Sequence, residues 1–242
     1  MVKLLFAGPS LAGVTPDLGD IELRPPAAHG DLARAVLAGA TVIGLVDGLF
    51  EAVAAVWHKE ILFALSRGVL VLGAASMGAL RAAECAAFGM EPVGAIALSC
   101  LDGSRDDDAD VGLVHAPAEL GYLPLTEPMV DIEATLARLA ALDLLSRDEQ
   151  RRIIEHAGAI FFGARTVDVI VPPMLADRRS AILAAYDTHR MRQKQADALA
   201  LLDRLRMLPD RRDPGPVFTF AESPMWRRRL AVLAAEVSVT AA

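Results

Sequence analysis

The sequence predicts an α/β fold: a mostly parallel sheet with flanking helices, in Rossmann-like layers, followed by a helical C-terminal region. Two observations carry this. The first hundred residues alternate between short, nearly unbroken apolar runs and helical patterns, as strands covered on both faces do. Beyond residue 126, apolar residues such as Ile132, Leu136, Leu139 and Leu144 recur at helical spacing, and the helices continue to about Leu205. At 242 residues the chain accommodates one large domain or a domain with an appendage. We divide it into a core over 1–125, a helical region packed on that core over 126–208, and a charged linker with a short helix over 209–242.

Lys3–Ala7 reads as a strand closed by the turn Gly8-Pro9-Ser10. Asp31–Leu37 reads as a short helix ending at Gly39, Thr41–Val46 as a strand closing at Asp47-Gly48, and Glu51–Ser66 as a long helix ending at Gly68. Val69–Gly73 is the next strand, Met77–Phe88 a helix stopped by Gly89, and Val93–Leu98 a further strand. Asp102–Asp110 is an acidic loop that lacks the glycine and glutamate of a calcium-binding hand. Val111–His115 reads as one more strand. Pro172-Pro173 interrupts the later helices, Pro209–Pro216 is the linker, and Trp226–Val237 is the last helix. Open parallel sheets bind ligands beyond the C-terminal ends of their strands. The loops at Gly8-Pro9-Ser10, Asp47-Gly48 and Ala74-Ala75-Ser76 are therefore expected to converge on one crevice.

Composition narrows the function classes. The chain is 54% hydrophobic with only 5% aromatic residues, so Ala, Leu, Val and Ile build the core. A net charge of −7 argues against a general nucleic-acid surface. Cys85 and Cys100 show neither metal spacing nor a disulfide framework and read as small buried hydrophobes. The opening residues are too soon broken for a signal peptide, and no run of about 18 apolar residues appears, so a soluble cytoplasmic protein without membrane contact is expected. Neither G-x-G-x-x-G nor G-x-x-x-x-G-K-[ST] occurs, and no cofactor or metal is expected.

Two residues stand out chemically. Ser76 lies between small neighbours where the run Val69-Leu70-Val71-Leu72-Gly73 passes into a helix, which lifts its hydroxyl to the strand's C-terminal end. The spacing Ala74-Ala75-Ser76-Met77-Gly78 resembles the nucleophile elbow G-x-S-x-G, and the Met77 N–H at the helix head offers half an oxyanion hole. The alternative is a serine that only caps the helix. Lys59 is one of three lysines, with Lys3 and Lys194, in a chain that otherwise uses arginine. If Glu51–Ser66 is helical, its neighbours Ala55, Val56, Leu62 and Phe63 are all apolar. Burial lowers a lysine's pKa and makes it a base, a role closed to arginine. A lysine snorkelling to solvent or paired with Glu60 or Asp47 is the alternative. His58 competes as the base, and a set of Ser76, His58 or His115, and Asp47 also stays open. Arg24, stiffened by Pro25-Pro26, suits a carboxylate or thiocarboxylate at the crevice mouth, or a salt bridge. Arg81 and Glu84 are spaced to pair on one helix, and Glu119 and Tyr122 sit in a loop facing the site or a partner.

Six ordered strings resemble the TfuA-like proteins over residues 3–135: Leu23-Arg24-Pro25-Pro26-Ala27, Gly30-Asp31, Gly44-Leu45-Val46-Asp47-Gly48, Trp57-His58-Lys59-Glu60-Ile61, the run from Gly73 to Glu84, and Pro117-Ala118-Glu119-Leu120-Gly121-Tyr122. The resemblance implies action beside a YcaO-type enzyme in peptide-backbone thioamidation. It implies hydrolysis of the C-terminal thiocarboxylate of a ThiS-like sulfur carrier by a Ser-Lys pair, falling here on Ser76 and Lys59. N–H groups of Met77 and of the loop holding Gly8 and Ser10 are then expected to hold the oxyanion, with Arg24 guiding the carrier's tail. Two rivals stand beside this reading: a non-catalytic scaffold or allosteric partner of YcaO, and a small-ligand-binding α/β module.

Overall fold

The computed structural model describes residues 2–51, 53–215 and 218–240. Among them five strands form one parallel sheet: β1 (Val2–Phe6), β2 (Ile21–Arg24), β3 (Ala40–Leu45), β4 (Leu70–Gly73) and β5 (Glu91–Pro92), in the order β2-β1-β3-β4-β5. The helices in chain order are α1 (Asp31–Leu37), α2 (His58–Ser66), α3 (Met77–Cys85), α4 (Gly94–Leu101), α5 (Met129–Ala141), α6 (Arg147–Gly158), α7 (Val167–Ile170), α8 (Arg179–His189), α9 (Gln193–Met207) and α10 (Pro224–Thr240). None of them is long and apolar enough to cross a membrane.

Successive strand residues point to opposite faces, so each central strand needs cover on both sides. On one face Leu4, Phe6, Ile43 and Leu45 pack with Leu32 of α1, Phe63 of α2, Ala82 of α3 and Trp226 of α10. On the other, Leu5, Val42, Val46 and Leu72 pack against Ala198, Leu201, Leu202 and Leu205 of α9. A helix from late in the chain thus completes the sheet's second layer. Helices α5, α6 and α8 close a separate cluster around Ile132, Leu136, Ile153 and Tyr186.

Five elements differ from the sequence reading. The helix expected over Glu51–Ser66 begins only at His58. The carboxylate of Glu60 stops it there, accepting the N–H of Trp57 at 3.3 Å and that of Gly30 at 2.9 Å. The run Val93–Leu98 is not a strand: Gly94, at φ +87°, turns the chain off the two-residue β5 into α4. Asp197 caps α4 by accepting the Ile96 N–H at 2.8 Å. Val111–His115 is irregular, joined to its neighbour by a single bridge from His115 to Pro124. Ile21–Arg24, unassigned from sequence, is the edge strand β2, with one buried and three exposed residues. The last helix also runs longer than Trp226–Val237, and Pro216 of the expected linker lies outside the described residues.

Candidate functional site

Ser76 sits at a tight backbone turn between β4 and α3. Its N–H donates to Ala74 O at 2.8 Å across Ala75, whose φ is +65° although it carries a Cβ. A three-residue turn with positive φ at its centre is rare and strained. Close packing holds it. A Cβ on Gly78 would lie 1.8 Å from Leu45 O, so only glycine lets the head of α3 press against the end of β3. There the Gly78 N–H donates to Val46 O at 3.0 Å. The Ser76 hydroxyl does not cap α3 and has no hydrogen-bond partner among the described residues. It lines a cavity of about 230 Å³ instead.

That cavity lies beyond the C-terminal ends of the strands, and Asp47, His115, Phe162 and Lys194 share its wall with Ser76. Asp47, 1% exposed, binds the loop after β1: its carboxylate accepts the N–H of Gly8 at 2.8 Å and of Ser10 at 3.0 Å, and the Ser10 hydroxyl at 2.7 Å. The Gly8 and Ser10 N–H groups expected to hold an oxyanion are thus both engaged by Asp47 in this structure. The Met77 N–H, between the engaged N–H groups of Ser76 and Gly78, has no backbone partner among the described residues.

Lys194 stands in the first turn of α9 and is 3% exposed. Its Nζ donates to Val111 O at 2.8 Å, and its backbone N–H donates to Asp131 Oδ1 at 3.0 Å. Burial holds the amine's pKa below the usual lysine range, against the opposing charges of Asp47 and Asp131. Burial likewise pushes Asp131 up to about 6, while the Lys194 N–H and charge pull it down. Lys194 also lines a second, smaller cavity with Ser10, Asp131, Arg190 and Arg192. His115 is half-buried, its Nδ1 2.8 Å from Ala116 O and its ring 5.6 Å from that of Tyr122.

Lys59 is elsewhere. Its Nζ bonds to Ala221 O and lies 4.9 Å from the Phe220 ring centroid, in a separate cavity with Trp57, His58 and Trp226. The cause is local: with α2 starting at His58, Ala55 and Val56 precede the helix and cannot enclose the amine. Lys59 tethers the segment leading to α10. His58 and Arg81 both meet Glu84 Oε2, each at 2.7 Å, in a partly exposed chain outside the Ser76 cavity. Arg24 pairs with Glu22 at 2.8 Å on the sheet's edge, and Glu119 is exposed in a short turn; neither lines the cavity. The structure thus gathers Ser76, Asp47 and His115 from the residues singled out in the sequence, and separates Lys59, His58 and Arg24 from them. Lys194 and Asp131 were missed. The rarity of lysine, which drew notice to Lys59, applied equally to Lys194.

The family model described as TfuA-like protein matches residues 47–166, a span holding Asp47, Ser76 and His115 and ending before Lys194. No curated protein matches the chain.

Proposed function

Because the chain belongs to the TfuA-like family, we propose that it works beside a YcaO-type enzyme in peptide-backbone thioamidation, releasing sulfide from the thiocarboxylate of a ThiS-like carrier protein. The observation that carries the hydrolytic part is the shared cavity: an uncapped serine hydroxyl and a sealed amine of lowered pKa line the same walls. We read the two as a Ser-Lys pair of the kind found in several hydrolases, with Lys194 taking the role expected of Lys59.

In the first step Ser76 Oγ attacks the thiocarboxylate carbon while neutral Lys194 Nζ takes the hydroxyl proton. The Oγ–C bond forms, and the Met77 N–H at the head of α3 faces the developing oxyanion. Collapse breaks the C–S bond, the proton on Lys194 passes to sulfur, and hydrosulfide leaves. Water then cleaves the acyl ester and frees the carrier as a carboxylate. The sum is thiocarboxylate plus water giving carboxylate, hydrosulfide and one proton. Asp47 supports the site by holding the loop after β1 against the end of β3.

Sulfide release from a thiocarboxylated carrier tests the reading. Ser76→Ala and Lys194→Met proteins with wild-type melting curves are expected to lose at least ~100-fold in rate, whereas Lys59→Met keeps its rate. Normal thioamidation with Ser76→Ala would instead favour a scaffold that recruits or activates YcaO.

A further inference from the structure

We infer that His115 is the base that activates the water of deacylation, a second catalytic role that rests on the acyl-serine reading above. Three observations point to it. A carbonyl oxygen only accepts hydrogen bonds, so the His115 Nδ1 facing Ala116 O at 2.8 Å carries the proton. With Nδ1 so engaged, the neutral form of the ring has its lone pair on Nε2, the form a general base needs. The edge-on Tyr122 ring, 70° from its plane, fixes its orientation from a second side.

Position separates its task from that of Lys194. The Lys194 amine is enclosed and bonded to Val111 O, away from solvent. His115 is half-buried in the wall of the same cavity, where entering water meets it. Asp47 cannot serve, because both its oxygens hold the loop from Gly8 to Ser10. Glu51 also lines the cavity but lies exposed at its rim.

The step balances. Water loses a proton to His115 Nε2 as its oxygen bonds to the acyl carbon; the intermediate collapses, the C–Oγ bond breaks, and Ser76 Oγ takes the proton back from the imidazolium. Without His115 the first half-reaction proceeds and the second stalls, so an acyl-serine accumulates. Because the acyl group is the carrier itself, the stalled species is a covalent conjugate of two proteins.

Rapid-quench sulfide measurements on the full chain with a thiocarboxylated carrier test this. His115→Gln is expected to release one equivalent of sulfide per protein at near wild-type rate, then turn over ~100-fold more slowly or worse. A conjugate that survives denaturing electrophoresis and is cleaved by hydroxylamine should appear with it. Added imidazole should restore turnover to His115→Ala. Wild-type turnover in His115→Gln, equal loss of burst and turnover in a folded variant, or burst-and-stall in Glu51→Gln instead would each overturn the assignment. The same variants are assayed with p-nitrophenyl acetate, which can acylate Ser76 without the carrier. Should the carrier yield no sulfide while the ester gives burst-and-stall in His115→Gln, the substrate reading fails and the His115 assignment stands. No acylation of Ser76 by either reagent removes both.

Discussion

Burial shifts both Asp131 and Lys194 away from their charged forms, and the charge of each opposes the shift of the other. Asp131 → Asn keeps an oxygen to accept the Lys194 N–H but removes a negative charge that favours the ammonium. The amine then yields its proton more readily, so the acid limb of the pH–rate profile for sulfide release is expected to move to lower pH. A move to higher pH, or none, would mean that Lys194 does not govern that limb. Stability follows with its own sign. Asp131 is raised from 3.8 to about 6 on folding, so the native state binds its proton more tightly than the unfolded chain. Its contribution therefore falls as pH rises from 3.8 to about 6, through the cost of burying the ionised form. Urea titrations should show the asparagine variant losing less stability than wild type across that window. Lys194 acts in the opposite sense at higher pH: its stabilising share grows as pH rises through its lowered native value.

The element that places Ser76 is a strand, a strained turn and a helix locked by glycine. In Gly78→Ala the new Cβ would meet Leu45 O at 1.8 Å, a backbone atom that cannot swing aside. Helix α3 must retreat from β3, at a cost of ~3 kcal/mol or more, and Ser76 moves with it. Equilibrium denaturation should report that loss, and any surviving protein should acylate poorly. This turn was legible in the sequence because its small residues, serine and glycine follow an apolar run in fixed order. The helix that carries Lys59 was not. Apolar residues before Trp57 satisfy helical spacing, yet α2 starts at His58, where Glu60 accepts the Trp57 N–H and ties that point of the chain to Gly30. Val93–Leu98 misled for a related reason. A short apolar run suits a buried helix as well as a strand, and here the cap supplied by Asp197 from α9 settles it.

At the scale of the molecule, one late helix serves both the fold and the candidate site. Helix α9 covers the sheet face of Leu5, Val42, Val46 and Leu72, and its first turn delivers Lys194 to the cavity. That is why half of the proposed pair was hidden: Ser76 is specified by its own neighbours, whereas Lys194 reaches the cavity only through the packing of α9 on the sheet. The same dependence predicts that residues 1–125 do not fold alone, although they contain all five strands. Without α9, Leu201, Leu202 and Leu205, each 1% exposed or less, no longer shield the sheet. At ~2 kcal/mol per leucine their loss removes ~6 kcal/mol, comparable with the whole 5–15 kcal/mol margin of a typical domain. The uncovered strand face adds to this deficit. Residues 1–125 should therefore bind a hydrophobic dye and show no cooperative thermal transition. Adding a peptide spanning α9 in trans should restore order only when its leucines are intact. A cooperative melt of residues 1–125 by themselves would show that the sheet's second layer is dispensable, and that Lys194 is carried by an appendage and not by the core.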